Sequence, residues 1–267
     1  MQAWTAMAIA AMGLSLLLAC AHPFGDAHLR ESSTQQPSLM EGAPVPRSVR
    51  ALLIQKCADC HSDETRSPLY AKFAPVSWLV ERDVMEGRRH MDLSHWASMT
   101  ADQQEQMVSK IVGETRMRSM PPLQYRIIHW SACITGSDVE MLTAWARGQS
   151  DRGAEGTVAT NDPPAGIGDA VHGKLVFEKR CTGCHSLTQN REGPKLGGVY
   201  GRVSGTVDGF AYSDALKKAK MTWDEKTLNK WLADPDALVP DNNMEFHVAK
   251  AEERRDVIAY LKQPPLH

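Results

Sequence analysis

Hydrophobic residues recur three or four positions apart, the spacing of one helix face, in six stretches of this chain. Three stretches lie in the first half, VRALLIQKC, TADQQEQMVSKIVGET and SDVEMLTAWARG, and three lie in the second, VHGKLVFEKRC, EKTLNKWLAD and EERRDVIAYLKQ. The strict alternation that indicates a β-strand is scarce. The pattern therefore predicts an all-α protein. Ser137 followed by Glu140 also predicts a capping box at the start of SDVEMLTAWARG.

Two polar stretches interrupt the helical pattern. Residues 22–45 form a polar, Pro-containing tether with little to bury, and residues 149–167 are rich in Gly, Pro, Ala and Asp. These stretches leave two segments, 46–148 and 168–264. A length of 267 residues and a hydrophobic content of 42% suit two small packed domains. We therefore predict two small helical domains joined by a flexible linker.

The N-terminal stretch, residues 1–21, contains no Asp, Glu, Lys or Arg and ends in small residues. Its apolar run is too short and wrongly flanked for a membrane span, so it indicates an export signal and a periplasmic protein. Two processing routes remain open. LLAC resembles a bacterial lipoprotein box, in which Cys20 would be lipidated and would tether the protein to a membrane, whereas ACA fits ordinary cleavage after Ala21.

The net charge and the positions of the cysteines limit the classes of function that this protein can have. A net charge of −2 and a pI near 6.6 give no electrostatic basis for binding nucleic acid. In an exported protein, cysteines usually form disulfides. Here, however, four of the six cysteines belong to two short motifs, CADCH and CTGCH, and only Cys20 and Cys133 stand outside them.

Both motifs have the Cys-x-x-Cys-His spacing of c-type haem attachment, and their cysteines are Cys57, Cys60, Cys181 and Cys184. Two thiols three positions apart on one helical turn are close enough to bond both haem vinyl groups, and the next residue, His61 or His185, presents an imidazole to the iron. The alternatives are a zinc site made of the four cysteines and a thioredoxin-like redox pair. Zinc-ribbon cysteine pairs usually lie much closer in sequence, and the redox pair needs a βαβ context. We therefore predict two covalently bound haem c groups.

Residues 168–262 resemble class I cytochrome c of the mitochondrial and bacterial cytochrome c2 kind. The matching stretches are GDAVHGKLVFEKRCTGCH, GPKLGGVYGR, FAYSDAL, MTWDEKTLNKWL, VPDNNMEF and RRDVIAYLK. The resemblance implies that His185 is the proximal and Met244 the distal ligand, and that the Pro194 carbonyl accepts a hydrogen bond from the His185 ring. It further implies that three residues hold the haem propionates: Arg202, Tyr212 and Trp223. Contact between the first and last helices is expected at Gly173, Phe177 and Tyr260.

The charge around the haem edge departs from that family, because its lysine-rich face is not kept. Glu192, Asp241 and Glu245 lie in the loops nearest the edge instead. A partner of the mitochondrial oxidase type favours a basic face, so this departure argues against such a partner.

Residues 50–146 resemble a small bacterial haem-binding domain family through CADCHSDETRSPLY, APVSWLVERDVMEGRRHMDLSHW, SMPPLQY and LTAW. The resemblance implies that Met120, held in front of two prolines on a stiff arm, is the distal ligand paired with His61. His90 and His95 are the alternative ligands, and Cys133 is a lone thiol. Arg88 and Arg89 suit either a haem propionate or a solvated surface.

Two His/Met-ligated haems would have no open coordination position, which favours electron transfer over chemistry on a small molecule. The sequence therefore predicts a periplasmic dihaem cytochrome c that transfers single electrons between redox protein partners, and an electron carrier is favoured over an enzyme. Two alternatives remain open. One is a haem enzyme, peroxidase-like or thiosulfate-oxidising, with one labile ligand. The other is an electron-transfer subunit of a membrane oxidase or dehydrogenase.

Overall fold

The computed structural model describes residues 2–19, 40, 43–153 and 166–263. Within these ranges the regular structure is helical, apart from an isolated antiparallel bridge between Val203 and Thr222. The prediction of an all-α protein is confirmed. The helices are α1 (Gln2–Ala19), α2 (Arg47–Lys56), α3 (Ala58–His61), α4 (Val76–His90), α5 (Ala101–Arg116), α6 (Leu123–Ile128), α7 (Gly136–Gly153), α8 (Ala170–Arg180), α9 (Asp214–Ala219), α10 (Glu225–Ala233), α11 (Pro235–Leu238) and α12 (Ala251–Leu261).

The chain forms two compact units. Unit 1 comprises Met1–Ser98 and Arg126–Cys133, and unit 2 comprises Met99–Tyr125 and Ile134–His267. Helices α5 and α7 precede the predicted linker in sequence and belong to unit 2. Helix α7 continues to Gly153, which lies inside the predicted linker 149–167. The domain ranges 46–148 and 168–264 stay a prediction.

The start of α7 corrects the predicted capping box. Thr135, not Ser137, caps the helix: its Oγ1 accepts from the Asp138 amide at 3.3 Å, and its own amide donates to Asp138 Oδ2 at 2.7 Å. The helix begins at Gly136, so Ser137 already lies in its first turn and cannot serve as the cap.

In unit 1, α1 is attached by a hydrogen bond from Ser15 Oγ to the Ala74 carbonyl oxygen at 2.6 Å. None of the described helices combines the length and the apolar content that a membrane crossing requires. Cys20 and most of the predicted tether 22–45 lie outside the described residues.

A close helix contact in unit 1 depends on Gly87 of α4. A Cβ at this position would lie 2.6 Å from the Cys60 carbonyl oxygen of α3. Only glycine allows α4 to approach α3 this closely, and the contact fixes the turn that carries Cys60 and His61.

The core of unit 2 forms where α8 crosses α12. A Cβ on Gly173 would lie 1.9 Å from the Asp256 carbonyl oxygen, and the Phe177 and Tyr260 rings pack with centroids 5.5 Å apart. The predicted contact between the first and last helices of this segment is therefore confirmed. The buried core consists of Val176, Phe177, Val199, Trp223, Leu228, Trp231, Leu232, Val239, Phe246, Val248, Val257, Ile258 and Leu261.

A fully buried arginine connects α12 to the rest of unit 2. Arg254 has 0% exposure. It donates to Asn229 Oδ1 at 2.9 Å and to the carbonyl oxygens of Val248 and Ala249 at 2.8 and 2.7 Å. These bonds hold the chain that follows Met244 against α10 and α12.

Replacing Arg254 with lysine should lower the free energy of unfolding by about 2 kcal/mol, because a single ammonium nitrogen cannot occupy the separate positions of the guanidinium Nε and Nη1 and an unsatisfied buried acceptor costs about 1–3 kcal/mol. Urea unfolding followed by circular dichroism measures the change. The control is Lys218→Arg on the exposed face of α9, which should change stability by less than about 0.5 kcal/mol. An unchanged midpoint in the Arg254 variant would contradict the role given to these bonds.

Candidate functional site

The CTGCH motif lies at the C-terminus of α8, where the helical turn continues through His185. The His185 amide donates to the Cys181 carbonyl at 2.8 Å, and the Cys184 amide donates to the same oxygen at 3.2 Å. This turn places both thiols and the imidazole on the wall of one cavity in unit 2.

Both cysteines of this motif are half-buried, and the loss of solvent around their thiols raises the pKa of Cys181 to about 12 and the pKa of Cys184 to about 11. Such thiols are neutral and poorly reactive at neutral pH, unlike the low-pKa thiolates of redox enzymes. Thioether bonds carry no charge, so their formation suits this apolar wall.

The orientation of the His185 ring is fixed by the predicted hydrogen bond, which is present: Nδ1 lies 2.8 Å from the Pro194 carbonyl oxygen. A carbonyl only accepts, so Nδ1 carries the proton and Nε2 remains available to a metal. Burial also lowers the pKa of His185, which keeps the imidazole neutral.

Gly193 leaves the space that this ring occupies. A Cβ at Gly193 would lie 2.2 Å from His185 Cε1. Gly193 belongs to the GPKLGGVYGR stretch that resembles class I cytochrome c, and the resemblance gave it no role. The only signal in the sequence is its position directly before Pro194, and a local pattern does not reveal which ring a glycine faces.

Met244 lines the same cavity as His185. Its sulfur accepts a hydrogen bond from Trp231 Nε1 at 3.2 Å, and its amide donates to Asn242 Oδ1 at 2.7 Å. Asn242 is 1% exposed, and its Nδ2 donates to the Val239 carbonyl at 2.9 Å. Asn242 therefore shapes the methionine loop, a role that the sequence analysis missed.

The three residues predicted to hold propionates all line this cavity: Arg202, Tyr212 and Trp223. The Trp223 amide donates to the Arg202 carbonyl at 2.9 Å, beside the Val203–Thr222 bridge, so the backbone brings the first and third together. Burial lowers the pKa of Arg202 and raises the pKa of Tyr212. A guanidinium remains charged in proteins, so this wall suits a carboxylate.

The CADCH motif in unit 1 has the same local geometry. Cys57 follows the last residue of α2, and Cys60 and His61 lie in α3. His61 Nδ1 lies 2.8 Å from the Gly87 carbonyl oxygen and 3.1 Å from that of Met91, and because a carbonyl only accepts, Nδ1 carries the proton. Burial, together with the nearby carboxylates of Asp59 and Asp83, raises the pKa of Cys60 to about 12.

Met120, the predicted distal ligand of His61, is 38% exposed. It belongs to unit 2 and His61 belongs to unit 1, so their pairing stays a prediction. The alternative ligand His95 is mostly exposed, and its Nδ1 lies 2.9 Å from Asp92 Oδ2. These contacts are those of a surface residue.

Other candidates in unit 1 also have protein partners. His90 lies on an exposed face 4.0 Å from Glu86, and Arg88 pairs with Asp63 at 3.4 Å. Cys133 is half-buried, and its carbonyl accepts from Lys56 Nζ at 2.7 Å.

The residues of unit 2 fit a covalently attached haem. They supply two thiols on one turn, an imidazole with a defined free nitrogen, a thioether in the same cavity and a cationic group on an otherwise largely apolar wall. The oriented imidazole is the most specific of these features, because a backbone carbonyl fixes which nitrogen faces the cavity.

Comparisons with known proteins agree with this geometry. Residues 170–264 match the family model described as cytochrome c, and residues 16–148 match the model of a haem-binding domain. The chain is 48% identical over 103 residues to cytochrome c of Chlamydomonas reinhardtii, covering 37% of this chain and 92% of that protein.

It is also 44% identical over 110 residues to cytochrome c2 of Blastochloris viridis, covering 40% of this chain and 86% of that protein. Among solved structures, cytochrome cH from Methylobacterium extorquens is 45% identical and aligns over 36% of this chain and 98% of its own, with a TM-score of 0.35. The two cytochromes from Chlamydomonas reinhardtii and Blastochloris viridis are matched over 92% and 86% of their own lengths, and the chain therefore belongs to the cytochrome c family, a family of electron-transfer proteins with covalently bound haem c.

Proposed function

We propose that this chain is an exported dihaem cytochrome c that transfers single electrons between redox proteins. Family membership supports electron transfer through haem c. The observation that carries the second haem is the repeated local geometry, in which each Cys-x-x-Cys-His turn donates a histidine Nδ1 proton to a backbone carbonyl.

In unit 2 we assign the proximal position to His185 and the distal position to Met244. Haem c, when bound, supplies a one-electron iron couple. Pro194 holds the His185 ring and its tautomer, and the loop around Asn242 holds Met244. Arg202 supplies positive charge for a propionate, and the buried side chain of Trp223 helps to exclude water from the cavity.

For the CADCH motif we assign Cys57 and Cys60 to covalent attachment and His61 to the proximal position, and we keep Met120 as the distal ligand that the sequence resemblance implies. The Gly87 carbonyl plays the part that the Pro194 carbonyl plays in unit 2. Two strong protein ligands on each iron would leave no position for a substrate, and the methionine would raise each reduction potential relative to bis-histidine ligation.

The number of haems per chain tests this proposal. Absorbance of the pyridine haemochrome, divided by protein concentration, should give two haem c per chain, and intact mass should show the same two additions. Substituting Cys57 and Cys60 by alanine should reduce the count to one, because attachment through CTGCH does not depend on those thiols. A wild-type protein with one haem would refute the dihaem assignment.

A second candidate is a haem enzyme in which Met120 is a labile ligand. The 38% exposure of Met120 favours it, because solvent reaches an exposed ligand. Cyanide added to the oxidised holoprotein discriminates between the two. An unchanged Soret band supports the electron carrier. A shift of the Soret band that involves about half of the haem absorbance supports the enzyme.

The periplasmic location is also a proposal, and it rests on the uncharged apolar stretch at residues 1–21. The intact mass of the mature N-terminus separates the two processing routes. A lipid-modified Cys20 supports a membrane tether, and an N-terminus after Ala21 supports a free periplasmic protein.

A further inference from the structure

Helix α5 covers one side of the cavity in unit 2. Six residues on this side line the cavity. Five belong to α5, and Met117 directly follows the helix; the five are Gln106, Ser109, Lys110, Gly113 and Glu114. The side chain of Ser109 donates to the Glu245 carbonyl at 3.3 Å, and Arg116 donates to the Asn242 carbonyl at 3.0 Å. The helix therefore lies directly against the loop that carries Met244.

Gly113 shows that this contact is close. Glycine inside a helix costs about 1 kcal/mol relative to alanine, so its presence in the middle of α5 needs a reason. A Cβ at Gly113 would lie 3.3 Å from the Asn243 carbonyl oxygen, a backbone atom that immediately precedes Met244. The glycine lets the helix approach the methionine loop.

Opposite charges meet along both ends of the contact. At the methionine loop, Glu245 pairs with Arg116 at 2.8 Å and with Arg147 of α7 at 3.0 Å. Beside the loop that holds His185, Lys110 pairs with Glu192 at 2.5 Å.

The pattern reverses at the start of α5. There the helix supplies the acidic partners: Asp102 pairs with Lys179 at 2.8 Å, and Glu105 pairs with Arg180 at 3.3 Å. Helix α5 thus supplies acidic residues at its start and basic residues further along, and its neighbours supply the opposite charges. This arrangement defines one register and one orientation of the helix.

The Lys110–Glu192 and Arg116–Glu245 pairs are partly shielded from solvent. The side chains of Lys110 and Glu192 are 17% and 19% exposed, and that of Glu245 is 5% exposed. Partly buried ion pairs are screened less by salt than surface pairs. Lys110 also lowers the pKa of Glu192, against the opposing effect of burial. Two of the three acidic residues that break the basic face of the cytochrome c family, Glu192 and Glu245, thus have basic partners within this chain.

We propose that α5, together with Arg147, is a resident docking partner of the cytochrome c segment, and that an external redox protein reaches this side of the haem cavity only when α5 is displaced. A helix is about 10 Å across, and electron transfer slows steeply with added distance, so the covered side is closed to direct docking. The proposal rests on the haem c of the cytochrome c segment and does not require a second haem.

The test uses charge reversal in the full-length holoprotein. The double variant Arg116→Glu with Arg147→Glu removes the partners of Glu245, and Lys110→Glu is a milder variant if the first does not fold. Lys218→Glu on exposed α9 makes the same charge change as Lys110→Glu away from the contact. Lys110→Glu combined with Glu192→Lys restores an opposite-charge pair in reversed order.

Two readouts follow each variant. Hydrogen exchange of the α5 amides should accelerate about tenfold in the double variant, which corresponds to about 1.4 kcal/mol of opening free energy. Oxidation of the reduced protein by a cationic cobalt(III) complex should also accelerate, because displacement of α5 exposes Glu192 and Glu245. That acceleration should fall as salt increases.

The outcomes separate clearly. Slower exchange and oxidation in the Lys110/Glu192 swap than in Lys110→Glu alone support the proposal. Unchanged α5 exchange and oxidation in both charge-reversal variants, or an equal effect in the Lys218→Glu control, overturn it. A single haem per chain would refute the dihaem function and leave this test valid.

Discussion

Replacing Met244 with histidine is expected to lower the reduction potential of the haem in unit 2 by about 0.2 V, a fraction of the ~0.8 V range that axial ligands span in haem proteins. A thioether stabilises ferrous iron, whereas imidazole is a stronger donor that favours the ferric state. The structure places this sulfur in the cavity that His185 lines. The Trp231 indole and the Asn242 side chain hold the residue there.

The control separates ligation from packing. Met244→Leu should abolish the red sulfur-to-iron charge-transfer band of the ferric protein, because leucine keeps the volume but has no sulfur. Met221→Leu should leave the band intact, because Met221 packs against the same core and does not line the cavity. A band that survives in Met244→Leu and disappears in Met221→Leu would show that Met221, and not Met244, is the ligand.

Gly193→Ala is expected to lower the free energy of unfolding of the holoprotein by about 3 kcal/mol, the upper part of the range for overpacking. The added Cβ would lie 2.2 Å from the His185 ring, which the Pro194 carbonyl holds in place through a hydrogen bond of 2.8 Å. Either the ring moves, and its bond to Pro194 lengthens, or the loop moves. Both changes weaken the bond between the imidazole and iron.

Urea unfolding followed by Soret absorbance measures this loss. The matched control is Gly148→Ala in α7, where an added Cβ meets no atom within 4 Å. That change should be neutral or stabilising by up to about 1 kcal/mol, because alanine favours a helix. A Gly193 variant as stable as the Gly148 variant would contradict the tight fit around His185.

Local patterns predicted six of the twelve helices in the described part of the chain. The six stretches with helical spacing correspond to α2, α5, α7, α8, α10 and α12. The contact between Gly173 and α12 was also predictable, since it came with the resemblance to class I cytochrome c. The capping box at Ser137 was wrong, because Thr135 and Asp138 form the cap two residues earlier.

The arrangement of α5 was not predictable from the sequence. Its contacts join residues far apart in the chain, such as Lys110 with Glu192 and Arg116 with Glu245, and no local periodicity specifies such pairs. The sequence showed only the acidic members of these ion pairs, Glu192 and Glu245, which lie in loops where the family is basic. The basic partners could be identified only after the fold brought them together.

The central claim is that the protein carries electrons through two haems with complete protein ligation. A spectroelectrochemical titration of the purified holoprotein, compared with its Met244→His variant, tests it most directly. We expect the substitution to shift about half of the haem absorbance change to lower potential and to leave the other half in place. A shift of the whole absorbance change, or no shift at all, would contradict two haems of which Met244 ligates one.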